Sequence, residues 1–141
     1  MTSYDDNKLL VYEGNKLSLK VKLPDNIQSP YHAVETSHGT YIVSHSRPQP
    51  GVSEVDGAGH VIRVYSDQQQ LALPYHMTLT GSRVLVADFK NILILSLTAE
   101  LKFESVVVDG LNQPWRLWLS EETGRLLVEG NRTVKVYNFY T

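Results

Sequence analysis

Two histidines and an arginine recur at matching places along this chain, each beside an aromatic ring. The copies are Pro30-Tyr31-His32, Pro74-Tyr75-His76 and Pro114-Trp115-Arg116. Imidazole titrates near neutral pH and is a common metal ligand, so His32 and His76 converging on one spot could hold a metal or move a proton. Arg116 breaks that set, because a guanidinium carries donors and no acceptor. The plainer reading is that His32, His76 and Arg116 cap strand ends and bond to neighbouring loops. With Tyr31, Tyr75 and Trp118 they would then line a binding mouth, with no catalytic residue, no metal and no cofactor.

The remaining candidates for chemistry are scattered. His38 falls in a turn, His45 at a strand end before a loop, and His60 at a hairpin; all three are expected at the surface. Asp56 and Asp88 read as turn-forming acids on outer turns. No Gly-x-Ser-x-Gly elbow, phosphate-cradling glycine loop or His-Glu-x-x-His is present. The absence of cysteine excludes disulfides and thiolate metal sites, and fits a reducing, cytoplasmic setting.

The elements that must position these residues are strands. The Pro-aromatic-His/Arg phrase returns about every 40 residues, a period that marks propeller blades of four strands each. After the first copy, Tyr31 to Thr36, Gly39 to Ser44, Val52 to Val55 and His60 to Tyr65 read as four strands. Turns carrying Gly39 and Asp56-Gly57-Ala58-Gly59 separate them. The second copy leads Tyr75 to Thr80, Arg83 to Ala87, Ile92 to Leu95 and Lys102 to Val108. The third leads Trp115 to Leu119, Arg125 to Val128 and Thr133 to Tyr137. Ahead of all three, residues 1–8 read as a solvated lead-in, followed by Leu9 to Tyr12 and the alternating run Leu17 to Leu23. That alternation suits an outermost strand with one wet face.

The strand tally is two, four, four and three. It predicts one all-β domain over 1–141: a partial blade at 1–28, blades at 29–73 and 74–113, and a partial blade at 114–141. About three blade-equivalents leave sheet faces open, and a propeller removes its edges only by closing. The chain is therefore expected to be part of a longer protein, to pair with itself, or to pair with another half-propeller. A two-fold homodimer completing a ring of about six blades is one such closure.

Ala87-Asp88-Phe89-Lys90-Asn91-Ile92-Leu93-Ile94-Leu95 resembles the Ala-Asp-x-x-Asn-x-Arg-Val-x-Val stretch of NHL repeats. Pro30-Tyr31-His32-Ala33-Val34 with Gly39 to His45 looks like one blade of the NHL-type propellers of invertebrate and TRIM-NHL-like proteins. Leu93 departs from the usual arginine, and Glu129-Gly130 stands where Ala-Asp would be expected. The resemblance implies a recognition scaffold. Two further possibilities come with it: an RNA-binding surface using Arg116, Arg47, Lys90 and the histidines, and a metal-dependent hydrolase or lyase with His32 and His76 in the channel.

Composition weighs among these. The formal net charge of −2 offers no broad basic field for phosphate backbones, which lowers the RNA reading. No apolar run approaches the roughly 18 residues of a membrane span. Residues 1–8 are polar and acidic, unlike a secretory signal. The sequon Asn131-Arg132-Thr133 is most simply a chance triplet. The expected activity is non-enzymatic binding of a protein or peptide through one end of the ring.

Overall fold

Period-two alternation becomes a series of antiparallel meanders stacked face to face. The computed structural model describes residues 2–3, 7–67, 71–91, 93–109, 116–120, 122–130 and 133–138. These residues form fourteen strands in four sheets. The first sheet is β1 (Thr2–Ser3), β2 (Lys8–Glu13) and β3 (Lys16–Lys22). The second is β4 (Gln28–Glu35), β5 (Tyr41–Arg47), β6 (Gly51–Val55) and β7 (Val61–Tyr65). The third is β8 (Pro74–Thr80), β9 (Arg83–Asp88), β10 (Leu93–Thr98) and β11 (Phe103–Asp109). The fourth is β12 (Arg116–Ser120), β13 (Arg125–Gly130) and β14 (Thr133–Asn138). Among the described residues no helix is long and apolar enough to cross a membrane.

The leading strand of each sheet lies innermost. β4 packs against β8, β8 against β12, and β1 against β4. The solvated lead-in expected at residues 1–8 is corrected here, since Thr2 pairs with Leu9 and Ser3 with Lys8. Ladder bonds come from the backbone, so polar side chains do not prevent them. The tally thus becomes three, four, four and three, two full blades flanked by two three-stranded ones.

Tight turns join the strands. Gly39 closes the β4–β5 hairpin at φ 78°, a left-handed conformation that a side chain would strain. Gly59, at φ 88°, sits so close to the first sheet that an added Cβ would collide with the Lys22 carbonyl.

Each interface between sheets holds one apolar cluster, and alternation decides which cluster a residue joins. In β5, Tyr41 and Val43 face the first sheet with Leu9, Val21 and Ile27. Ile42 faces the third sheet with Met77, Val84 and Val86. In β9, Leu85 and Ala87 turn the other way, to Leu117, Leu126 and Val128 of the fourth. Central strands of the second and third sheets are therefore covered on both faces, which is why β5 from Tyr41 to His45 is buried without a break.

The fourth sheet keeps one face outward. Trp118 pairs across to Leu127 and Leu127 to Val136, and Trp118 is 69% exposed.

Candidate functional site

The repeated phrase builds its geometry from a defect in the ladder. Register shifts fall between Pro30 and His32 and again between Pro74 and His76, one extra residue in each inner strand. A bulge re-aims the side chain it contains. Strict alternation would place Tyr31 and Tyr75 with Met77 in the core between blades. The bulges instead leave Tyr75 exposed and Tyr31 half-buried, while Met77 is fully buried. The two tyrosine rings meet at 5.6 Å, and Tyr75 meets Phe89 at 5.7 Å. An aromatic row therefore crosses two blades at one end of the inner strands. Trp115 lies outside the described residues.

The histidines form a ladder beneath that row. His32 Nδ1 accepts the Met77 backbone N–H at 3.2 Å, and His76 Nδ1 accepts the Leu117 N–H at 3.1 Å. Each imidazole thus fastens its own inner strand to the next one. The two rings stack with centroids 4.0 Å apart. Burial, and then the neighbouring His76, lowers the His32 pKa from 6.5 to about 4. Burial, and then Arg116, lowers that of His76. Both rings are neutral at pH 7. A neutral imidazole has one ring lone pair, and an Nδ1 that accepts a strand N–H leaves Nε2 carrying the proton. A metal at Nδ1 would have to displace a bond between blades. Among the described residues no group of three or more His, Asp or Glu is placed to hold a metal ion.

Arg116 and Trp118 stand apart from the tyrosine row. Both project from the outward face of the fourth sheet, where Arg116 Nε lies 3.7 Å from the Glu129 carboxylate. They border a groove with Leu127 and Val134. The six residues of the expected mouth therefore divide: Tyr31, His32, Tyr75 and His76 assemble across two blades, Trp118 belongs to a sheet face, and Arg116 projects from that face while its charge still reaches His76.

Three residues carry more than their sequence neighbourhood signals. His45, expected at the surface, is 2% exposed, because β5 is an inner strand of the sheet with a blade on each side. Its Nε2 meets Ser53 Oγ at 2.9 Å, and Nδ1 is outside bonding geometry with any described partner. Burial lowers its pKa, opposed by the nearby Gln49 and Arg47 backbone. Asp88, expected on an outer turn, is fully buried. It accepts from the backbone of Ala72, Leu73, Lys90 and Asn91 and from Asn91 Nδ2. Glu54 is also buried, and Arg63 Nη1 reaches it at 2.7 Å. The alternation of β6 hinted at Glu54 facing a neighbouring sheet; nothing local marked it as buried. His38 and His60 are exposed, as expected, and Asp56 is a half-exposed turn former that accepts the Ala58 and His60 N–H groups.

No protein-family model matches the chain, and no curated protein sequence does. Among solved structures, it is similar to the WD40 beta propeller domain of Doa1, at a TM-score of 0.70 and 15% identity, over 96% of this chain. The fold is that of a β-propeller. At this identity the likeness speaks for architecture alone. The chain spans about half of that structure, matching 48% of it.

Proposed function

We propose that this half-propeller is a non-enzymatic recognition scaffold that binds a protein or peptide across the mouth formed by Tyr31, Tyr75 and the histidine ladder beneath them. The carrying observation is the use of the imidazole lone pairs. His32 and His76 fasten one blade to the next through Nδ1, so these histidines serve the framework, and the accessible chemistry at that end is aromatic. Exposed tyrosine suits such a surface, because it contributes large area and a polar tip at low entropic cost.

The NHL-type repeat, the cytoplasmic setting and closure with a second copy belong to the same reading. Support for closure comes from the fourth sheet, whose outward Trp118, Val134 and Val136 match in kind the apolar rows that fill the three interfaces between sheets. An RNA surface gains no comparable support, since Arg116 lies beside Glu129.

Selection of a random 12-residue peptide library on the purified protein tests the scaffold reading. Sequences should enrich on the wild type, and Tyr75→Ala should weaken those docking at the mouth by about tenfold, the equivalent of roughly 1.4 kcal/mol. A library yielding no binder would remove the proposal. Light scattering on the same sample reads the oligomeric state, and a clean monomer would remove the second-copy closure.

A further inference from the structure

A second recessed site lies between the second and third blades, at the end opposite the tyrosines. It is a pocket of about 190 Å³ walled by the β4–β5 and β8–β9 hairpins and the β10–β11 turn. That volume is below the roughly 300–1,000 Å³ of pockets for whole small molecules. It suits one long side chain.

The lining selects which one. The floor is aliphatic, from Ile42, Leu79 and Val84. Glu54 forms one wall, and its side chain is 6% exposed. One of its oxygens accepts from Arg63 Nη1 at 2.7 Å and the other from Thr40 Oγ1 at 2.6 Å. A carboxylate offers about four lone-pair sites, so Glu54 retains acceptor capacity. Glu100 adds a second carboxylate at the rim, beside the hydroxyls of Ser37 and Ser82. Arg83 also borders the pocket, with its Nε bonded to Glu104 at 2.8 Å. Glu54 and Glu100 therefore outnumber the Arg63 cation, and the Arg83 charge is matched by Glu104. A methylene stem on the aliphatic floor with its cationic head among these acceptors satisfies both halves of the lining.

We infer that this pocket takes a lysine or arginine side chain of a partner peptide. The inference rests on the scaffold reading but uses the other end of the blades. Arg63 is the chain's own example of the cation that Glu54 accepts, and it is half-exposed along the seam.

Peptides selected from the 12-residue library are measured by fluorescence polarisation, each beside versions with its basic residue changed to norleucine or exchanged between lysine and arginine. Norleucine should weaken binding at least tenfold, and the lysine–arginine exchange tells which head the pocket prefers. Glu100→Gln, at an exposed turn, should weaken the basic peptide about threefold to tenfold. The pair Glu54→Gln with Arg63→Gln keeps the seam neutral and should abolish discrimination between basic and norleucine peptides. Tyr75→Ala should leave these peptides unaffected. Equal binding of basic and norleucine peptides, or loss through Tyr75→Ala with no effect of Glu100→Gln, overturns the inference and leaves the scaffold reading intact. A library with no binder overturns both.

Discussion

The second and third blades follow one plan and differ at one pivotal place. Pro30 pairs with His45 in the second, and Pro74 pairs with Asp88 in the third. Both side chains sit buried in the second strand, Asp88 at its last residue and His45 two residues before the end, next to the bulge that presents the tyrosine. Asp88 gathers amides from two directions: Ala72 and Leu73 leading into the inner strand, and Lys90 and Asn91 in the turn that follows. His45 reaches one hydroxyl, on Ser53. A carboxylate can accept several bonds at once, whereas a neutral imidazole has one acceptor and one donor. The same backbone frame therefore carries a many-armed knot in one blade and a single bond in the other.

Removing the knot should have the largest effect. Asp88→Ala leaves several part-buried amides without their acceptor, and loss of stability of about 2–3 kcal/mol is expected in denaturant unfolding. A loss below about 1 kcal/mol would mean that water replaces the carboxylate without cost, and the contrast between blades would vanish.

Gly51→Ala probes the other blade. Its Cβ would come within 2.7 Å of the His45 ring and 3.2 Å of the Tyr65 carbonyl, so the imidazole has to shift. Overpacking of this kind costs about 1–3 kcal/mol. If thermal unfolding shows no change, His45 is loosely held and its burial is incidental.

His45→Leu should cost less, about 1 kcal/mol, because it removes one neutral bond and leaves Ser53 Oγ unpaired. A penalty rivalling that of Asp88→Ala would show that His45 is an equal hub.

Acidification separates the blades by charge and is the gentlest test. The folded-state pKa of His32 lies near 4, below its ordinary 6.5. Between those values the unfolded chain binds the proton and the folded chain does not, so stability present above pH 6.5 is lost as pH falls toward 4. Burial pushes His45 in the same direction, and His76 of the third blade as well, so the second blade carries two such histidines and the third blade one. Hydrogen exchange, corrected for intrinsic rates, should rise in β4 and β5 before β9 over that window. His32→Gln, which keeps an acceptor for Met77 without a titrating ring, should flatten the response; an unchanged slope would exonerate the ladder.

Much of this contrast was legible along the chain, and its energetic side was not. The spacing of Pro30, Pro74 and Pro114 located the inner strands, and the glycine turns located the hairpins. The bulges were hidden, because one extra residue leaves the apolar alternation on either side intact while reversing the direction of Tyr31 and Tyr75. His45 was misplaced because a histidine before Arg47-Pro48 resembles a strand leaving the protein. Its burial comes from a first sheet packed against it. Asp88 looked like an ordinary turn former and is one; its bonds to Ala72 and Leu73 join residues about sixteen positions away.

By itself, the sequence determined the period, the strand class and the identity of the side chains at each blade's inner edge, since these follow from backbone propensity and alternation within a few residues. The tertiary structure alone decided that the two histidines stack and fasten blades, that Glu54 is buried in a pocket, and that Trp118 faces outward. Those outcomes depend on which sheet lies against which, a relation set by packing between segments some forty residues apart.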